Sequence, residues 1–382
     1  MRPRFSSFAV ASLSSALALA ACAGSDSGSE LTPAGLAGAS QLGGAGGAAG
    51  GVVGGASQAG GVGQGAAGQG GSGVVPPLNA SEIGYDARSA LPIGQSIVFN
   101  DWASTPNRVL AMTPDGATVS EVFAASRVWS MGVSRKSDRV AFAAADPDQQ
   151  AHYGVSIGDA VQNTWLYDVA TATVELLSGG NLNDECHAFS DDDRYLYVCR
   201  RAGFVDGAPP PPYALARVDI VTREVEQLTA PSPTSLALHP QPLPGGARVL
   251  YTEVALSGGK QSRSVRSLDL ATHASTEVRA GASLGAVSAD GARYVYGDTA
   301  KGGLWVAPIA GGAPVQITAD AGTSARFSPD GAKVVYLRHD DAGNCSHVLV
   351  VAADGSGKAA PTKIRDCVAS KEFITQLAWI TR

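Results

Sequence analysis

The sequence is poor in charge, in aromatic rings and in sulfur. Of its 382 residues 16% are Asp, Glu, Lys or Arg and 6% are Phe, Trp or Tyr, with 5 Cys and 3 Met. An ordinary globular chain carries about 25% charged residues. The shortage is local: from Leu31 to Ser81 no residue is formally charged, and the stretch Gly35–Gly73 alternates mainly between glycine and alanine. Such a segment cannot bury enough apolar surface to offset the entropy of ordering it, so a flexible tether is predicted there. A surplus of positive charge is also missing. The 28 Lys plus Arg stand against 34 Asp plus Glu, a net charge of −6, which excludes binding to phosphate backbones by counterion release and hence a nucleic-acid partner. No apolar run reaches the ~20 residues needed to cross a bilayer as a helix.

What is present begins with an address. Arg2 and Arg4 form a positive n-region, Phe5–Ala18 an apolar h-region broken by serines, and Leu19-Ala20-Ala21-Cys22 follows. That order is the pattern of a secretory signal. Its end resembles the lipobox of bacterial lipoproteins, which implies cleavage before Cys22 and acylation of its thiol. The resemblance divides the chain into a signal peptide 1–21, a lipidated Cys and Gly/Ala-rich linker 22–77, and a folded domain 78–382, with membrane contact through the lipid alone. Ala23 rather than Asp follows Cys22, and by analogy with enteric sorting this implies the outer membrane, with the domain in the periplasm or at the cell surface. A tether of this kind reaches on the order of 40 Å.

The folded part repeats itself. Ala325-Arg-Phe327, the turn Ser328-Pro329-Asp330-Gly331, Val334-Val-Tyr336, Val348-Leu-Val-Val351 and a last run near Lys363 make one unit. The preceding unit has Ala286-Val287, Ser288-Ala289-Asp290-Gly291, Tyr294-Val-Tyr296, Leu304-Trp-Val306 and Val315-Gln-Ile317. Turns after the third run fall at Asp115, Asp168, Asp219, Asp269, Ile309 and Asp354. Six units of four short β runs follow, which predicts an all-β, six-bladed β-propeller of four-stranded blades. The first unit lacks its own first strand, and Leu377–Ile380 is a strand without a unit. The C-terminus is therefore predicted to complete the first blade. The Phe-Ser-Pro-Asp-Gly turn at Phe327–Gly331 resembles the repeats of the TolB-like six-bladed propeller family. Blade two departs from it at Ser134-Arg-Lys-Ser137 and blade four at His239–Gly246.

Setting Cys22 aside leaves Cys186, Cys199, Cys345 and Cys367 in a domain expected to be exported, where disulfides persist. Four cysteines allow three pairings. On the propeller reading each close pair flanks a hairpin turn, which predicts bridges Cys186–Cys199 and Cys345–Cys367. The spacings are not of the Cys-x-x-Cys type used for metal.

Catalytic signals lack context. Gly154-Val155-Ser156-Ile157-Gly158 matches a nucleophile elbow but lies in a long loop with no helical pattern after it. Gly63-Gln-Gly65-Ala-Ala-Gly68 matches a dinucleotide fingerprint inside the glycine-rich linker, with no strand before it. Asp191-Asp192-Asp193 reads as a turn, and His339-Asp340-Asp341 as a solvated loop. Histidines such as His187, His152 and His339 could gather a divalent metal in the channel, as in some propeller lyases. The favoured expectation is a noncatalytic module with no cofactor, no metal and no catalytic residue, binding an envelope protein. A metal-dependent polysaccharide lyase is the alternative. The loops 146–163 and 202–213, the second carrying Pro209–Pro212, are the expected contact surfaces.

Overall fold

The computed structural model describes residues 79–158, 160–340 and 344–382. Cys22, the linker 22–77 and Gly63–Gly68 lie outside the described residues. The described residues are mainly β-strand, in six units, with two short helices. Blade 1 holds β1 (Asp86–Ala87), β2 (Gln95–Asp101), β3 (Asn107–Met112) and β4 (Val119–Ala125). Blade 2 holds β5 (Met131–Val133), β6 (Arg139–Ala145), β7 (Gln162–Asp168) and β8 (Thr173–Ser178), and blade 3 β9 (Leu182–Phe189), β10 (Tyr195–Ala202), β11 (Ala214–Asp219) and β12 (Val225–Gln227). Blade 4 is β13 (Ser235–Pro242), β14 (Arg248–Ser257), β15 (Lys260–Asp269) and β16 (Ser275–Ala280). Blade 5 is β17 (Ala282–Val287), β18 (Arg293–Asp298), β19 (Leu304–Pro308) and β20 (Val315–Thr318). Blade 6 is β21 (Thr323–Phe327), β22 (Lys333–Asp340), β23 (Cys345–Ala352) and β24 (Thr362–Arg365), and β25 (Ile374–Thr381) ends the chain.

The last strand closes the ring as expected. β25 pairs antiparallel with β2, Ile97 opposite Trp379 and Val98 opposite Ala378. It is thereby the innermost strand of blade 1. The innermost strands β25, β5, β9, β13, β17 and β21 touch one another in that cyclic order. Blade 1 departs from four strands, because β1 adds a fifth on its outer edge, with Asp86 opposite Ala124. That short strand covers backbone groups that would otherwise face water as an open edge.

Blades hold together through their faces. Each contact between neighbouring blades has its own apolar cluster. Phe123, Phe142, Trp165 and Tyr167 fill the space between blades 1 and 2, and Phe327, Val334, Tyr336 and Val295 that between blades 5 and 6. Phe99, Leu110, Leu337 and Leu377 fill the closing contact between blades 6 and 1. Inner strands are covered on both sides, which is why Val140–Ala145 is buried throughout instead of alternating.

The repeated turn is explained by its hydrogen bonds. Ser328 Oγ donates to Asp330 Oδ1 at 2.5 Å and accepts from the Lys333 N–H at 2.9 Å, while Asp330 Oδ1 accepts from the Ala332 N–H. Ser288, Asp290 and Arg293 repeat the pattern at 2.6 and 3.0 Å. The fourth turn residue is left-handed, φ +68° at Gly331 and +69° at Gly291, the conformation that glycine adopts without strain. Blade two keeps the geometry with other residues: Ser137 takes the left-handed position and Asp138 accepts from Ser134 Oγ at 2.7 Å. Asp193 takes that position in blade three, and its carboxylate accepts from the backbone N–H groups of Arg135 and Lys136 in the neighbouring turn. The three consecutive aspartates are a turn, as their order implies.

One expected disulfide is present and one is not. Cys345 and Cys367 are bonded with Cα atoms 5.3 Å apart. Cys186 and Cys199 are free thiols. Leu196 faces Phe189 and Tyr197 faces Ala188, and continuing that register would set Cys199 against Cys186. A bulge intervenes, so Cys199 faces Glu185 instead and Cys186 turns left-handed at φ +58°. The two side chains still meet, and burial pushes the Cys199 thiol well above its usual range, which keeps it unreactive.

Candidate functional site

In each antiparallel blade the first strand starts, and the second ends, at the same end of the ring. The long loops 146–161 and 203–213 therefore open there together, forming one mouth of the channel. They also pack on one another. Phe204 is buried with Val155, Ala160 and Val161, and Asp206 accepts from Ser156 N at 2.7 Å and Ser156 Oγ at 2.5 Å. The Gly-x-Ser-x-Gly serine is thus a loop clasp. A short helix, Gln149–Tyr153, precedes it rather than follows it, and its hydroxyl donates to a carboxylate with no histidine between them.

The histidines do not converge. His187 is buried with both ring nitrogens engaged, Nδ1 3.1 Å from Ser130 Oγ and Nε2 3.1 Å from Thr164 Oγ1. Ser130 also accepts from the Cys186 N–H, and Thr164 donates to Asp184 Oδ2. Those roles assign Ser130 as donor to Nδ1 and the Nε2–H as donor to Thr164. Burial, then the Arg200 charge, lowers the His187 pKa to about 3, so the ring is neutral. The chain of bonds runs on to Arg200, whose guanidinium holds Asp184 at 2.6 and 2.7 Å, and it seams blade 2 to blade 3. His152 pairs with Asp146 at 2.9 Å. His339 was expected in a loop but sits within β22, bonded to Ser346 at 2.9 Å and stacked on Phe373. Asp340 likewise ends that strand. Among the described residues three potential metal donors gather at Asp340, His347 and Cys367, and the Cys367 sulfur is committed to its disulfide.

A different group occupies the mouth, across blades 1 to 3. Trp102, in the loop after β2, meets Trp129 edge-on with ring centroids 4.7 Å apart, and the Arg127 guanidinium lies 5.9 Å over Trp102. Trp129 precedes β5 and its side chain faces the Glu185 carboxyl. Tyr213 Oη lies 2.5 Å from Glu185 Oε1 and 2.9 Å from Asn183 Oδ1. Burial raises the Glu185 pKa, while the Arg201 charge and the hydrogen bonds of Tyr213, Trp129 and Asn183 oppose it. Arg201 lies over the Tyr213 ring at 4.2 Å and the Phe204 ring at 5.5 Å.

No protein-family model and no curated protein sequence matches this chain. Solved structures do. TolB from Acinetobacter baumannii superposes with a TM-score of 0.56 at 19% identity, over 76% of this chain and 67% of that one. The fold is that of a TolB-like β-propeller. Hydrazine synthase of Kuenenia stuttgartiensis gives 0.56 at 12% identity, over 77% of this chain and 47% of that one. A chain of a nidogen/laminin complex gives 0.53 at 7%, over 75% and 98%. Proteins as different as these share the scaffold, so the propeller's function must be argued from its site.

Sequence reasoning missed Trp102, Trp129, Glu185, Arg201 and Tyr213. A signal for one of them was there: Leu182–Phe189 places Asp184 and Glu185 in a strand that a propeller covers on both sides, and a carboxylate in such a place needs a partner or a purpose.

Proposed function

We propose that this chain is a noncatalytic protein-interaction module of the bacterial envelope, tethered at the outer membrane through a lipidated Cys22, with its partner seated on the mouth formed by blades 1 to 3. The observation that carries the reading is the run Arg127, Trp102, Trp129, Glu185, Tyr213 and Arg201, traced from ring to ring at one end of the channel. Trp, Tyr and Arg dominate the binding energy of protein interfaces, because each buries a large rigid surface and still offers a polar group. The TolB-like fold supports a binding scaffold without naming a partner.

The test is photocrosslinking in the native host from two exposed valines. Val205, 64% exposed, flanks the mouth, and Val221, 80% exposed, lies in a turn at the other end. A discrete envelope protein should crosslink from position 205, not from 221, and Trp102→Ala should abolish it. Crosslinking confined to 221 would overturn the assignment of the mouth. Separately, Cys22→Ala should release the protein from membranes, and retention would overturn the anchor.

A further inference from the structure

Two consecutive arginines end β10, and they have opposite fates. Successive side chains on a strand point to opposite faces. Arg200 turns into the seam between blades 2 and 3, where Asp184 and Ser178 neutralise and bond it. Arg201 turns to the mouth. Among the described residues its side chain has no hydrogen bond and no ion pair, and its Nε is buried without a partner. The rings of Tyr213 and Phe204 hold the guanidinium at 4.2 and 5.5 Å. The Arg201 charge reaches the Glu185 carboxyl, whose pKa burial nonetheless raises, and no ion pair forms between the two.

A guanidinium oriented by stacked rings, with its donors unspent, is prepared for a planar anion that can accept two parallel hydrogen bonds. We infer that Arg201 is a carboxylate-recognition residue of the mouth, taking a carboxylate presented by a peptide chain, either an Asp or Glu side chain or a free C-terminus. A phosphate dianion fits less well. A single guanidinium neutralises half its charge, Asp206 lies in the adjoining loop, and the chain as a whole is negative. Exposed Val205 follows Phe204, whose ring the guanidinium meets, and offers apolar contact for the flanking peptide. This inference rests on the mouth being the binding surface, and it adds the chemistry that the surface selects.

The experiment is calorimetric titration of the full chain at low salt with two probes: triglutamate amidated at its C-terminus, and trialanine with a free one. At least one should bind saturably, and which one binds identifies the source of the carboxylate. Arg201→Gln should weaken it about tenfold or more, and Arg201→Lys should also weaken it, because an ammonium keeps the charge but loses the planar fork. Arg279→Gln, on the outer strand of blade 4, should leave binding unchanged. Thermal melting establishes that each variant is folded, and should Arg201→Gln not fold, the lysine variant decides. Absence of binding by the unaltered protein, equal binding after loss of Arg201, or tighter Arg201-dependent binding of inorganic phosphate would each overturn the inference. Crosslinking from position 205 that persists while the titrations fail would leave the mouth standing without this role for Arg201. Carboxylate binding without crosslinking would do the converse.

Discussion

Asn100 and Gln376 meet across 276 residues of sequence: the buried Asn100 Oδ1 accepts from the Gln376 backbone N–H at 2.9 Å. The same side chain donates from Nδ2 to Thr375 Oγ1 at 2.6 Å and to the Val128 carbonyl at 3.0 Å. It thus ties the closing strand β25 to β2 and to the entry into blade 2. Asn100→Ala leaves several buried backbone groups unsatisfied and should cost on the order of 3 kcal/mol, read as a lower urea midpoint. An unchanged midpoint would contradict the role of this residue in closure.

The Cys345–Cys367 bridge sits at the same closure. Cys367 begins the short segment that leads into β25, and its N–H donates to His347 Nδ1 at 3.0 Å. Cross-linking residues 22 apart limits the unfolded chain by about 3 kcal/mol in the chain-entropy account. Dithiothreitol should therefore lower the melting temperature of the native protein and have no such effect on Cys345→Ser/Cys367→Ser. Cys186→Ser should leave the response to reductant intact. A full response in the double variant would place a stabilising bridge elsewhere.

His187 makes stability depend on pH in a defined window. The unfolded imidazole titrates near 6.5, and the buried one near about 3. The contribution of the neutral ring is whole above pH 6.5 and is lost as the pH falls toward the folded value, at about 1.4 kcal/mol per unit. Urea midpoints between pH 6.5 and 5 should fall less steeply in His187→Gln than in the native protein. Identical slopes would show that another group carries the dependence.

Acid below that window acts on the turns. Hydrogen bonds from Ser328 and the Ala332 N–H hold Asp330 below the usual carboxylate range, and those from Ser288 and the Ala292 N–H do the same for Asp290. Their stabilisation is present above the unfolded pKa and is lost as pH falls through the lower folded one. Ser328→Ala removes both bonds of a buried hydroxyl and should cost about 1–2 kcal/mol at pH 7. Gly331→Ala should cost a similar amount, since its φ is +68° and the added carbon would meet Arg293 Nη2 at 2.8 Å. Equal stability of both variants would mean that the turn tolerates any residue.

Much of the architecture was legible from residue order because it is decided locally. A Ser-x-Asp-Gly turn is closed by contacts within six residues, as at Ser328–Lys333, so each copy announces a hairpin wherever it stands. Counting those hairpins, and noticing a strand left over at Leu377–Ile380, was enough to reach a closed ring. Even the departures at Ser134–Ser137 kept the same turn, since what matters is a left-handed fourth residue and a nearby carboxylate, not the letters that supply them.

Two things belonged to the tertiary structure alone. A single bulge after Tyr197 moved Glu185 opposite Cys199 and took Cys186 out of the register that the expected bridge assumed. Bulges answer to the packing of inner strands around the channel, which the position of a hairpin turn does not contain. The mouth is the second. Trp102, Trp129, Glu185, Arg201 and Tyr213 come from three blades, and nothing in their spacing marks them as neighbours. Residue order determined the blades and the path of the chain. The ring, by bringing distant loops to one end and leaving Arg201 unpaired while Arg200 is neutralised, decided where this protein presents its chemistry.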